Sequence, residues 1–181
     1  RPIHSKMAIY PNNPGASVRT IQQAGTEMSG LSEITLGSHT GTHIDALSHI
    51  DPTGWDTEHY TLDQLIGPCD VVEISSDVFV IHAGDISATT TPRVLFKTRN
   101  SAGSPDVFDP EFTALAEDAA QELANRGVVL VGIDALSIKQ KGVKDRVHEI
   151  FLQSTICILE GLWFVDVAPG AYELICLPLS L

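Results

Sequence analysis

The 181-residue sequence has few basic residues and no long apolar runs. No run approaches the ~20 apolar residues that a membrane-spanning helix needs. Lys and Arg together number 11 against 23 Asp and Glu, which gives a formal net charge of −12. Nucleic-acid binding normally requires a basic face. We therefore expect neither a membrane nor a nucleic acid as a partner of this protein.

Cysteine is also scarce. The three cysteines, Cys69, Cys157 and Cys176, are scattered in apolar surroundings, and no Cys-x-x-Cys clip is present. An odd number of isolated cysteines favours buried free thiols in a reducing compartment over disulfides. No signal peptide is visible. These features together predict a cytoplasmic protein.

Several familiar catalytic motifs are missing. The sequence has no Gly-x-Ser-x-Gly elbow, which argues against serine-esterase chemistry. It has no dinucleotide fingerprint and no phosphate loop. Repeats, low-complexity tracts and linkers are absent, and a hydrophobic fraction of 43% is typical of a globular protein. We therefore predict a single domain over residues 1–181.

Residues 38–49 instead concentrate side chains that bind metals, with three histidines and one aspartate. If this stretch is extended, His39, His43 and Asp45 point to one face, and Gly41 leaves room on that face. A helix would still pair the two histidines but would turn Asp45 away. Two imidazoles and a carboxylate on one face indicate a site for a divalent transition metal.

This stretch resembles a known motif, that of the metal-dependent cyclase hydrolases, a family that includes bacterial kynurenine formamidase and isatin hydrolase. The family pattern is His-x-Gly-Thr-His-x-Asp-x-Pro-x-His. The matching residues here are His39, Gly41, Thr42, His43, Asp45 and His49. Leu47 stands where the family has proline, which loosens the turn that presents His49 but removes no ligand. The resemblance covers the chain from Tyr10 to Leu179.

Further ligands are expected near the end of the chain. Glu160 follows an apolar predicted strand, residues 155–159, where an unpaired buried carboxylate would be costly. It must therefore reach solvent or meet a cation. In the family, a His followed twelve positions later by a Glu completes the metal site, and His148 with Glu160 keeps that spacing. The resemblance thus implies five metal ligands: His39, His43, Asp45, His148 and Glu160.

Five ligands are too many for one four-coordinate ion that keeps an open position, so two ions bridged by carboxylates fit better. The resemblance implies Zn²⁺, as in bacterial kynurenine formamidases, or a single Mn²⁺ ion, as in isatin hydrolases. The family assigns His49 the role of general base and acid. An imidazole suits that role, although the residues alone also allow His49 to be a further ligand.

The function implied by the resemblance is metal-dependent hydrolysis of a C–N bond in a small molecule, first of all in N-formyl-kynurenine. The turn beginning at Tyr10 resembles a family turn whose Trp lines the substrate pocket, so Tyr10 is predicted to bind substrate. A plain surface turn is the alternative. Two other functions stay open: opening of a lactam or cyclic imide, as in isatin hydrolase, and metal binding without catalysis. His49, beside a full ligand set, argues against the last.

The order of predicted elements indicates an α/β fold. A helix is predicted from Asp109, which can cap it, to Gly127, which can end it. An apolar strand over residues 128–134 follows, and another strand over residues 93–98 precedes the helix. Strand, helix and strand in this order predict a βαβ crossover. The resemblance implies the swivelling β/β/α fold with a mixed sheet, assembled as a homodimer or homotetramer.

Overall fold

The computed structural model describes residues 1–179. Within this range the chain forms ten strands and three α-helices, joined by turns and short 3-10 helices. In chain order they are β1 Ser17–Gln22, β2 Leu31–Thr35, β3 His43–Asp45, α1 Leu62–Leu65, β4 Ile66–Glu73, β5 Val80–Ile81, β6 Arg93–Lys97, β7 Ala114–Leu115, α2 Glu117–Asn125, β8 Leu130–Ile133, α3 Val147–Gln153, β9 Cys157–Glu160 and β10 Gly170–Ile175.

Six of these strands form one mixed sheet in the order β10-β4-β6-β8-β9-β3. The four central strands are parallel, and each edge strand is antiparallel to its neighbour. Successive side chains of a strand point to opposite faces, yet Val94, Leu95 and Phe96 of β6 are all buried. Burial on both faces explains why these strands are continuously apolar in sequence. The predicted α/β fold with a mixed sheet is confirmed.

The βαβ crossover is present, but its helix is shorter than predicted. β6 and β8 are parallel neighbours, and α2 lies between them in the chain. The predicted helix start at Asp109 is wrong, because residues 110–113 form a turn and an irregular stretch and β7 pairs with β5 before α2 begins. Asp109 instead accepts a hydrogen bond from the Glu111 amide. The predicted end is correct: Gly127, at φ +74°, follows α2 in the left-handed conformation.

Apolar side chains cover the sheet on both faces. On one face α2 and α3 contact each other, and Leu123 and Phe151 are fully buried. On the other face Ile44 of β3 packs in a cluster with Tyr60 and Leu159. Full burial of one such aliphatic or aromatic side chain contributes about 1.5–3 kcal/mol. The packing of Ile44 therefore fixes the edge strand β3, which carries two of the predicted ligands.

The strands β1 and β2 form a separate two-stranded antiparallel hairpin. Every residue of the two strands is exposed except Gln22, which is half-buried. Within the described residues, the hairpin's extensive contacts are those between its own two strands.

None of the helices in residues 1–179 has both the length and the apolar character that a membrane crossing requires.

Candidate metal centre

The segment from His39 to Asp45 is not the continuous strand that its alternation predicts. Residues 38–42 form a turn and bends, and only His43–Asp45 are extended as β3. The extended run is interrupted at Gly41, whose φ of +72° disfavours any other residue. The turn nevertheless folds the His39 ring back onto β3, where its Nδ1 lies 3.0 Å from Nε2 of His43. The two imidazoles are therefore in contact, although the backbone between them forms a turn and bends instead of a strand.

The register of β3 on β9 joins this segment to the distant ligands. His43 lies directly opposite Glu160 in the antiparallel pair, and their side chains approach to 3.4 Å between Nε2 and Oε2. His148 comes from α3, and its Nε2 lies 3.5 Å from Oε1 of Glu160 and 3.5 Å from Oδ2 of Asp45. The structure thus brings all five predicted ligands together: His39, His43, Asp45, His148 and Glu160.

Asp45 is the centre of this cluster. It is buried, and neither carboxylate oxygen makes a hydrogen bond of good geometry within the described residues. Its Oδ1 lies 3.1 Å from Nδ1 of His39 and 3.5 Å from Nε2 of His43. Burial by itself raises the pKa of Asp45, but the imidazoles of His148 and His39 outweigh it and hold the pKa well below its usual range. The carboxylate is therefore both ionised and buried, and such a group favours a bound cation beside it.

The negative charges of Asp45 and Glu160 raise the pKa values of two imidazoles, His148 and His43. Burial lowers the pKa of His148, but Asp45 and Glu160 raise it by a larger amount, so that the pKa lies at about 9. Burial also lowers the pKa of His43, but Glu160 and Asp45 raise it by a larger amount, so that the pKa lies above its ordinary value. Without an ion, these rings take up protons to balance two buried carboxylates. A divalent cation would provide that balance while leaving the imidazoles neutral, which is the form that binds metal.

Groups outside the cluster position three of the candidate ligands. Nδ1 of His43 lies 3.1 Å from the Gly41 carbonyl oxygen, which leaves its Nε2 free to bind an ion. The Ile138 amide donates to Oε1 of Glu160 over 2.7 Å. The Tyr60 hydroxyl donates to the Asp45 carbonyl oxygen over 2.8 Å. The spacing of the sequence gives no signal for these supporting contacts, because all three involve a backbone group.

His49 lies beside the cluster and is exposed to a cleft. Its ring centroid is 4.4 Å from that of His39 and 5.4 Å from that of His148. Burial of part of the ring lowers the pKa of His49. It is presented by a 3-10 helix, Leu47–His49, so leucine in place of the family proline still permits a tight turn.

The cleft has a volume of about 890 Å³ and reaches the ligands His39, His43 and Asp45. Apolar residues of the C-terminal segment, including Leu177 and Leu179, form part of its wall. Clefts of this size, with an apolar wall and a few polar groups, bind small organic molecules. The cluster is therefore accessible to a substrate rather than sealed in the core.

Tyr10 does not line this cleft. Its ring packs edge to face on Phe108, with centroids 5.5 Å apart. Phe108 lines a second cavity of about 570 Å³. Burial, with a smaller contribution from the charge of Glu160, raises the pKa of the Tyr10 phenol. A role for Tyr10 in binding substrate stays a prediction.

Asp134 follows β8 but does not belong to the ligand cluster. Its carboxylate receives hydrogen bonds from Thr98, Asn100 and Ser101, at 2.7–3.3 Å. Burial raises the pKa of Asp134, and the hydrogen bonds from Ser101 and Thr98 oppose that shift. Its role in the described structure is to hold the loop after β6 against the end of β8.

Known proteins resemble this chain over most of its length. The family model described as "Putative cyclase" matches residues 1–140. Kynurenine formamidases from Salinibacter ruber and Maricaulis maris are each 36% identical to it, covering 83% and 97% of this chain and 73% and 86% of their own lengths.

Solved structures agree with the sequence relatives. One described as a "Potential Metal-Dependent Hydrolase With Cyclase Activity" has a TM-score of 0.88 and 36% identity, covering 100% of this chain and 88% of its own. An isatin hydrolase bound to the product analogue thioisatinate has a TM-score of 0.78 and 20% identity, covering 98% and 82%, and shows a shared fold.

The fold and the cluster of imidazoles and carboxylates together define a metal-dependent hydrolase with a divalent-metal site. The class rests on the ligand types and on their convergence at an open cleft, which are the features that metal-assisted hydrolysis needs. Among such hydrolases, the chain belongs to the cyclase family.

Proposed function

We propose that this chain is a metal-dependent formamide hydrolase whose first substrate is N-formyl-kynurenine. Two kynurenine formamidases share 36% identity with it over most of its length. The observation that carries the proposal is the position of His49, an exposed imidazole beside a buried cluster of five ligands and on the same cleft. A protein that only held a metal would not need an accessible base there.

The residues that would hold the metal are His39, His43, Asp45, His148 and Glu160. Zn²⁺ is our first choice and Mn²⁺ the alternative, because mixed imidazole and carboxylate ligands suit both. A bound ion would lower the pKa of its water molecule toward ~7 and would place a positive charge beside the carbonyl oxygen of the substrate. The fit is supported by the carboxylate oxygens of Asp45, which are buried without well-formed hydrogen bonds.

The two carboxylates favour a pair of ions over one. Oδ1 of Asp45 faces His39 and His43, whereas its Oδ2 faces His148. Glu160 repeats this arrangement, with Oε2 toward His43 and Oε1 toward His148. Each carboxylate thus connects two groups of imidazoles, as a bridging ligand does. We therefore propose that the centre binds two ions, with one ion as the alternative.

His49 would move the protons of the reaction. Hydrolysis of a formamide adds water across the C–N bond, so one proton must leave the attacking water and one must reach the departing amine nitrogen. An imidazole can do both, because it exchanges protons near neutral pH. The exposed position of His49, beside His39 and His148, is suited to this role.

Opening of a lactam or cyclic imide is the second candidate reaction. It breaks the same kind of C–N bond and would use the same residues. The similarity of this chain to isatin hydrolase is one of fold, at 20% identity, and is weaker than its similarity to the kynurenine formamidases. Parallel assays of N-formyl-kynurenine and isatin with the purified protein distinguish the two reactions.

Removal of the metal tests the proposal directly. We expect dialysis against a chelator to abolish hydrolysis of N-formyl-kynurenine, and Zn²⁺ or Mn²⁺ to restore it, because the proposed reaction needs the activated water that a bound ion would supply. Elemental analysis of the purified protein should give about two ions per chain if the carboxylates bridge, and about one if they do not. Full activity in the chelated protein would contradict the proposal.

The role of His49 is tested by its replacement with alanine. We expect kcat to fall by about 10²–10⁴, with metal content unchanged, because a general base is lost but no ligand. His59→Ala is the matched control, since His59 is exposed and stacks on Trp55 with ring centroids 4.5 Å apart. Loss of metal from His49→Ala would instead make His49 a ligand.

We also propose that the enzyme is cytoplasmic and assembles as a homodimer or homotetramer. The cysteines support the first point: Cys69 and Cys157 are buried free thiols and Cys176 is a half-buried one, as expected in a reducing compartment. The free hairpin formed by β1 and β2 supports the second point.

A further inference from the structure

We infer that Asp56 is a positioning residue, which holds the turn that carries His49 through a hydrogen bond to Ser48. This inference rests on the proposed function, in which His49 moves the protons of the reaction. The turn is the 3-10 helix Leu47–His49, and each of its residues is half-buried or exposed. Because none of them is buried, the core alone does not fix the imidazole beside His39.

The segment that follows this turn folds back and lies directly against it. The Ser48 amide donates to the Trp55 carbonyl oxygen over 3.1 Å, and the Ser48 hydroxyl donates to Oδ1 of Asp56 over 2.5 Å. A β-carbon on Gly54 would lie 2.6 Å from the Leu47 carbonyl carbon, so this close approach of the two backbones requires glycine. Ser48 is thus held through both its backbone and its side chain.

The segment is in turn attached to the strand that carries two of the candidate ligands. The Trp55 ring packs edge to face on Tyr60, with centroids 5.0 Å apart. Tyr60 is buried, and its hydroxyl donates to the Asp45 carbonyl oxygen in β3 over 2.8 Å. The contacts that hold Ser48 therefore begin at β3. This arrangement fixes the position of His49 relative to the ligand cluster.

The carboxylate of Asp56 is directed to Ser48 rather than to its own helix. Asp56 is the N-cap of the short 3-10 helix Thr57–His59, where an aspartate commonly accepts from the helix amides. Within the described residues its side chain makes no such bond. A hydrogen bond to an ionised acceptor is stronger than one between neutral groups. Leu47 leaves free the backbone angle that the proline of the family pattern would restrict, so the turn depends more on this bond.

The experiment compares Ser48→Ala and Asp56→Ala with Thr53→Ala in the full chain with added Zn²⁺. The control is matched, because the Thr53 hydroxyl also donates to a carboxylate of this segment, Oδ1 of Asp51 at 2.8 Å, but that bond involves no residue of the turn. We expect the first two variants to lower kcat for N-formyl-kynurenine about tenfold, with KM and metal content unchanged. Thr53→Ala should keep all three values, and Ser48→Thr, which retains the hydroxyl, should keep kcat.

A second comparison tests whether the effect passes through His49. Ser48→Ala is added to His49→Ala, and we expect no further loss of kcat, because the position of an absent imidazole cannot matter. A further tenfold loss in the double variant would overturn the inference. A raised KM with an unchanged kcat in Asp56→Ala would also overturn it, since Asp56 would then contact the substrate instead of positioning His49.

Hydrogen exchange measures the order of the turn without reference to activity. The amides of Ile50 and Asp51 donate to the Leu47 carbonyl oxygen over 3.0 and 2.9 Å. We expect both amides to exchange about tenfold faster in Asp56→Ala than in the wild type, and at the wild-type rate in Thr53→Ala. Unchanged exchange and kcat in Asp56→Ala would overturn the inference and leave the proposed hydrolase. A wild type that hydrolyses no formamide would overturn the proposed function and the inference together.

Discussion

Replacing Asp45 with asparagine is expected to strip the centre of metal and to lower kcat/KM for N-formyl-kynurenine at least ~10³-fold. Asp45, like Glu160, lies between the imidazole groups, with Oδ1 near His39 and His43 and Oδ2 near His148. An amide keeps the shape of the side chain but removes the negative charge. It also turns an NH₂ group, which cannot bind a cation, toward one set of imidazoles.

The measurements are elemental analysis of the purified variant and steady-state kinetics at saturating added Zn²⁺. Asp166→Asn is the matched control, because Asp166 is an exposed turn residue away from the cleft lining. That control should keep the metal content and activity of the wild type. An Asp45→Asn variant that keeps its metal and its full activity would show that the ion binds without Asp45.

Replacing Asp134 with alanine is expected to destabilise the protein by about 3–5 kcal/mol. The buried carboxylate accepts from the amides of Thr98 and Ser101, from the amide side chain of Asn100, and from both hydroxyls. Each hydroxyl donates to the carboxylate while its oxygen accepts from an amide, Thr98 Oγ1 from Asn100 and Ser101 Oγ from Phe164. Removal of the carboxylate would leave several buried donors without an acceptor.

Urea unfolding, followed by circular dichroism, gives the change in free energy. Asp166→Ala is again a suitable control, and its free energy of unfolding should stay within ~0.5 kcal/mol of the wild type. An equally small effect of Asp134→Ala would mean that water replaces the carboxylate or that the loop after β6 rearranges. In that case the loop would not depend on Asp134 for its position.

The spacing of His39, His43 and Asp45 indicates a metal site from the sequence alone, because the three residues lie in one short segment. The pair of His148 and Glu160 is expected only from the resemblance to the family, since the two residues lie on different elements, α3 and β9. Alternating or continuous apolar residues also predict the central strands, since both faces of those strands are buried. For these features the local pattern and the global packing agree.

Other features depend on contacts that no short window contains. The turn at Gly41 replaces the predicted strand because the backbone there closely approaches Gly161, where a β-carbon would lie 2.0 Å from the Gly41 carbonyl oxygen. The pairing of His43 with Glu160 is a matter of register between strands that are remote in sequence. The start of α2 was missed because the β5–β7 pairing competes with the helical pattern before Glu117.

The pairing of β3 with β9 also sets the order in which the enzyme can mature. His39, His43 and Asp45 precede His148 and Glu160 by most of the length of the sequence and are therefore synthesised well before them. The early trio alone offers an incomplete set of donors, and β3 acquires its place at the sheet edge only once β9 exists. Metal binding by all five proposed ligands therefore requires residues 148–160 to be in place beside residues 39–45.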